Sequence, residues 1–150
     1  MELSITLIII IVTCLVSFGG FGSQKIIDDL IFYPPAITQR NQWYRFFTCG
    51  VIHADLGHLA FNMISLYLFG DFVEKSFIIN QSAQGFDTVV FGEKGKMLYL
   101  LMYVFGLFFC LLPTFAKHKN DYYYRSLGAS GAVSAVISLL FLFIPCRKWG

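Results

Sequence analysis

Three groups of residues in this 150-residue chain have the types and spacing to do chemistry. Gly128-Ala129-Ser130-Gly131 sets a serine between glycines at the head of an apolar run, where a helix would begin. Backbone N–H groups in a first helical turn have no intrahelical partner, and the helix dipole adds partial positive charge there. A hydroxyl in that position has an anion site beside it, as acyl transfer requires. The order is G-x-S-G, not the G-x-S-x-G elbow of soluble hydrolases. The same stretch has a structural reading: Ser130, Ser134 and Ser138 with Gly131 and Ala135 make a small-residue ridge for close helix packing.

His58 and Asn62 form the second group. Four apart, they share one helical face, and both can donate hydrogen bonds toward one point. Polar side chains in a membrane helix are costly, so such a pair is either functional or ties helices together. Zinc suits it poorly, because His53 and His58 lack a helical ligand spacing and the nearby carboxylates sit at the far end of the run. The third group, Gly92-Glu93-Lys94-Gly95-Lys96, suggests a phosphate loop but lacks the Walker spacing.

The elements that must position these residues belong in a bilayer. Hydrophobic residues make up 57% of the chain and charged ones 13%, about half the charged share of a soluble domain. One domain, residues 1–150, is the natural division. A net charge of +2 without basic runs excludes a nucleic-acid footprint. Leu3 to Gly22 carries no charge and is long enough to cross; acidic Met1-Glu2 and the lack of an A-x-A site favour a retained helix over a signal peptide. Residues 23–57, with Pro34-Pro35 and many aromatics, read as short amphipathic pieces in the membrane interface, anchored by Tyr33, Trp43 and Tyr44. His58 to Phe77 is a second span, Ile78 to Gly95 a polar connection, and Met97 to Ala116 a third span. Lys117 to Arg125 is a charged, tyrosine-rich turn, and Gly128 to Ile144 a fourth span. Alternating spans put residues 23–57 and 117–127 on one side, which brings Ser130 and His58 to matching depth. Charge does not orient the chain: Lys75, Lys94, Lys96, Arg147 and Lys148 stand against Lys25, Arg40, Arg45, Lys117, Lys119 and Arg125. Cys14, Cys49, Cys110 and Cys146 form no CxxC and read as small buried thiols.

His53-Ala54-Asp55-Leu56-Gly57-His58-Leu59-Ala60-Phe61-Asn62, followed by Gly70 and Val73-Glu74-Lys75, resembles the second-helix signature of rhomboid intramembrane serine proteases. Gly128-Ala129-Ser130-Gly131 resembles their nucleophile motif, and Trp43-Tyr44-Arg45 is similar to the Trp-Arg element of their first loop, with Tyr44 inserted. The resemblance implies an all-α polytopic membrane protein, a rhomboid-like helical bundle with four of an expected six transmembrane helices. It implies Ser130 as nucleophile, with His58, Asn62 and the Ser130 N–H as oxyanion hole. His53 and Arg45 would organise the first loop, Glu74 would be structural at the far end of the second helix, and Gly128 and Gly131 would permit close approach. Substrates would be transmembrane proteins in the lipid bilayer. No cofactor or metal is implied, and the location would be a bacterial plasma membrane.

The resemblance also implies a Ser–His dyad whose histidine lies on a sixth helix, beyond this chain. His118 remains, but two lysines flank it and nothing in the sequence orients it. The expectation is therefore a serine endopeptidase, incomplete at its C-terminus and inactive as residues 1–150, with the ridge on the fourth span awaiting the sixth helix. An inactive relative that binds transmembrane segments, and an unrelated small transporter subunit, are the competing readings.

Overall fold

The computed structural model describes residues 4–81, 87–89 and 94–143. The first helix, α1 (Ile5–Phe21), buries Thr6, Thr13, Ser17 and Gly20. It exposes Leu7, Ile8, Ile11, Val12, Leu15 and Phe18. A water-soluble helix does the reverse. Between helices in lipid no hydrophobic force acts, so small residues mark the contact and bulky apolar ones face outward. The pattern recurs on α5 (Leu56–Ile78), where Asn62 and Ser65 are buried while Phe61, Ile64, Tyr67 and Leu68 are exposed.

Among the described residues, two helices have the length and apolarity to cross a membrane: α5 over Leu56–Lys75 and α6 over Gly95–His118. The helices α1 and α7 (Ser130–Phe143) are apolar but shorter, at 17 and 14 residues. The fourth helix begins at Ser130, two residues later than the sequence suggests, which leaves Gly128 in the loop. Leu59, Met63, Leu66 and Val73 of α5 form the core with Tyr99, Tyr103 and Leu107 of α6 and with Ala132, Val133 and Val136 of α7.

The small-residue ridge is largely occupied within this chain. A Cβ on Gly106 of α6 would lie 2.8 Å from the Ala135 Cβ, and one on Gly131 would lie 2.8 Å from the Cys110 Cβ. Only Ser130, Ser134 and Ser138 of the ridge stay exposed. The expectation that the whole ridge awaits another helix is thus corrected: α6 fills the Gly131–Ala135 half.

The bundle is helical, as the all-α reading expects, with one short addition. After α5, β1 (Ile79–Gln81) pairs antiparallel with β2 (Asp87–Val89), Ile79 opposite Val89. Gly92 and Glu93 of the segment weighed as a phosphate loop lie outside the described residues, as does Cys146.

The stretch between α1 and α5 folds into α2 (Gln24–Leu30), α3 (Pro34–Arg40), α4 (Arg45–Thr48) and a 3-10 turn, Cys49–Val51. Prolines suit the first turn of a helix, and Pro34-Pro35 open α3; Asn41, at φ 55°, closes it in the left-handed region. Phe32, Ile37, Phe46 and Cys49 of this loop pack against Phe108, Leu111, Leu112 and Phe115 of α6. Trp43 stacks on Phe46 at 5.8 Å and stays half exposed.

The thiols differ from expectation at one place. Cys110 is exposed, Cys14 partly buried and Cys49 buried, and burial pushes the Cys49 thiol up to about 12, so it stays protonated.

Candidate active site around the start of α7

Three residues just before Ser130 are each held by the loop between α1 and α5. Ser126 exchanges two backbone hydrogen bonds with Phe32, at 3.0 and 3.1 Å. The Gly128 N–H donates to the Cys49 carbonyl at 2.8 Å. The Ala129 N–H donates to His53 Nε2 at 3.4 Å. Because Nε2 accepts, the ring proton sits on Nδ1, which donates to Ser17 Oγ at 3.0 Å; Ser17 donates on to the Val51 carbonyl at 3.0 Å. His53 is fully buried. Burial first, and the neighbouring His58 second, lower its pKa to about 4 against a smaller opposing pull from Asp55, which keeps the ring neutral.

Arg45 anchors the same loop. Its Nη1 donates to the Asp28 and Ile31 carbonyls at 2.9 and 2.7 Å, and its Nε donates to Gln42 Oε1 at 2.7 Å. Every one of these acceptors lies within residues 28–42, so the guanidinium gathers α2, α3 and α4 around itself.

Gly128 has φ +113°, a region closed to most side chains. A Cβ there would come within 2.6 Å of His58 Cε1. The His58 imidazole therefore lies directly against the backbone that leads into Ser130. The His53 and His58 rings meet edge-on at 5.0 Å. Asp55 Oδ1 accepts the His58 N–H at 2.8 Å and caps the start of α5. Asn62, buried, lies one turn deeper and donates its Nδ2–H to the His58 carbonyl at 2.9 Å. Ser130 opens α7 with its side chain exposed and, among the described residues, without a hydrogen-bond partner.

The structure thus gathers His58 and His53 against Gly128 and Ala129, the backbone that leads into Ser130, with Asn62 one turn deeper on α5. Gly131 faces α6 instead, and Cys110 Sγ donates to its carbonyl at 3.5 Å. Glu74 belongs to the opposite end, twelve residues past Asn62 on α5, or about 18 Å. Its carboxylate accepts hydrogen bonds from Ser4 Oγ, the Ile5 and Thr6 N–H groups and Thr6 Oγ1, at 2.7 to 2.9 Å, and so caps the start of α1.

His118 is oriented after all, contrary to the sequence reading. Its Nδ1 meets Asp121 Oδ2 at 3.0 Å, and its ring stacks on Tyr124 at 3.8 Å. It stands eight residues, about 12 Å, beyond Cys110 on α6, the residue packed against Gly131. Among the described residues no hydrogen bond joins His118 to Ser130.

Four contributors were not singled out from sequence. Asp55, three residues ahead of His58, carries an N-cap signature that was legible. Ser17 shares helical spacing with Thr6, Thr13 and Gly20. Phe32 and the Cys49 carbonyl act through tertiary pairing and leave no local signal.

The Rhomboid domain family model matches residues 40–149. The chain belongs to the rhomboid family and is an integral membrane protein. It is 34% identical over 74 residues to Rhomboid-like protein 15 of Arabidopsis thaliana. That match takes in 49% of this chain and 18% of the plant protein, so the chain spans less than a fifth of its relative. With a plant relative, the expected bacterial plasma membrane has no support.

Proposed function

We propose that this chain carries the nucleophile and oxyanion hole of an intramembrane serine endopeptidase acting on transmembrane segments. One observation carries the reading: the His58 ring fills the space of the missing Gly128 side chain, two residues before an exposed serine at a helix N-terminus. Ser130 would attack the scissile carbonyl. The oxyanion would sit between the Ser130 N–H, His58 and the Asn62 amide, donors that strengthen as charge develops. Arg45 and His53 act as positioning residues through the loop bonds to Ala129 and Gly128. The outward-facing apolar residues of α1 and the apolar run of α7 support four crossings, the two shorter helices spanning with their flanking residues.

On this reading none of the three histidines of residues 1–150 is the general base. His53 spends its ring nitrogens on Ser17 and Ala129, His118 is paired with Asp121, and His58 is assigned to the oxyanion. A serine without a base is a weak nucleophile. The test is cleavage of a transmembrane reporter by the product of the whole reading frame containing these residues. Ser130→Ala is expected to lower the rate by about three orders of magnitude or more. Undiminished cleavage in that variant rejects the assignment.

The lack of a histidine aimed at Ser130 among the described residues favours one second reading: a family member that binds transmembrane segments without cutting them. It predicts co-purification of such segments with the wild type and no cleavage in any form of the protein.

A further inference from the structure

The C-terminal end of α6 and the end of α3 meet at one lip of the molecule. Thr38 Oγ1 donates to the Lys119 carbonyl at 3.4 Å, and Gln39 Nε2 donates to the Tyr122 hydroxyl at 2.6 Å. These contacts bring Arg40 to the same edge as Lys117 and Lys119, and all three side chains are exposed. None meets a carboxylate among the described residues, where the ion pairs are Lys75–Asp71, His118–Asp121 and Arg125–Asp28. Asp121, two residues past Lys119, is engaged by His118, and Asp28 of α2 by Arg125. Arg45, the other cation of this loop, is buried on carbonyl oxygens.

Depth identifies what the lip faces. Met97 to Ala116 is an uncharged helical run of about 30 Å, the thickness of a bilayer's hydrocarbon core. The next residues, Lys117 and Lys119, therefore emerge at the level of the lipid phosphates. Tyr122 and Tyr123 beside them are 57% and 97% exposed, as aromatic residues of an interfacial belt are. Three uncompensated cations at that depth, with two phenols to donate to ester or phosphate oxygens, fit an acidic phospholipid headgroup.

We propose that Arg40, Lys117 and Lys119 form a binding site for anionic phospholipid headgroups at the lip where α3 and the end of α6 meet. The bound lipid steadies residues 119–128, whose Ser126 and Gly128 are pinned to the first loop ahead of Ser130.

The experiment is native mass spectrometry of the 150-residue chain released from nanodiscs of phosphatidylcholine and phosphatidylglycerol. The wild type is expected to retain phosphatidylglycerol preferentially. R40Q/K117Q/K119Q lowers that retention roughly tenfold or more, since each cation near an acidic surface is worth about a fivefold change. R40K/K117R/K119R keeps it, and K25Q, at an exposed site beside Asp28 and Asp29, leaves it unchanged. Equal retention by wild type and triple glutamine variant overturns the proposal, as does equal retention of both lipids by the wild type. An acidic peptide, polyglutamate, that binds the wild type and not the triple variant while lipid retention stays constant assigns the lip to a protein partner and overturns it too.

Discussion

At Gly128 two constraints coincide, a backbone at φ +113° and an imidazole 2.6 Å from any added Cβ. Gly128→Ala is expected to cost about 1–3 kcal/mol in backbone strain alone. The collision with His58 adds to that, so cleavage should fall further than stability does. Thermal melting in detergent alongside reporter cleavage checks this, and a variant as stable and active as wild type sinks the close-approach account. His53 gives a pH prediction. Its folded pKa, about 4, lies below its ordinary 6.5, chiefly through burial. The unfolded chain therefore binds the extra proton between these values. The stability His53 contributes is complete above pH 6.5 and is lost as pH falls toward 4. Melting temperature should drop across that window in wild type, and less steeply in His53→Gln. Parallel curves for the two proteins contradict a neutral His53.

Among the elements, α1 is joined to α5 through Glu74, whose carboxylate satisfies four donors at the start of α1. Glu74→Gln replaces an acceptor oxygen with an amide that faces donors. The expected cost is about 2–3 kcal/mol, read as a lower melting temperature. Because Glu74 lies about 18 Å from the site, reporter cleavage by the surviving folded protein should be little changed. A selective loss of cleavage without a stability loss contradicts this. Between α6 and α7, Gly106→Leu should prise the helices apart, since even a Cβ meets Ala135 at 2.8 Å. The long apolar runs made the main helices legible in sequence, and Asp55 ahead of His58 marked where α5 starts. The β1–β2 pairing was not legible, because three-residue strands carry too short an alternation to read. The ridge on α7 was visible as small residues, but nothing local told which half α6 would cover, since that depends on Gly106 and Cys110 of another helix.

For the whole molecule, the first loop is the scaffold of the candidate site. Arg45 gathers its short helices, its aromatic cluster fixes it on α6, and Phe32, Cys49 and His53 hold the residues before Ser130. Sequence spacing put Ser130 and His58 at matching depth. It could not foresee this scaffold, because Phe32–Ser126 and Cys49–Gly128 join residues far apart in the chain. His118, engaged by Asp121 and stacked on Tyr124, makes no hydrogen bond to Ser130 among the described residues. Residues 1–150 expressed alone are therefore expected not to cleave a transmembrane reporter, and Ser130-dependent cleavage by that chain would refute the need for an outside histidine. The most direct test of Ser130 itself is fluorophosphonate labelling in native membranes of the whole reading-frame product, with the modified residue mapped by mass spectrometry. The account predicts a single adduct on Ser130, absent in Ser130→Ala and reduced about tenfold or more in His58→Ala, where an oxyanion donor is gone. A folded protein that leaves Ser130 unlabelled, or labels equally without His58, contradicts it.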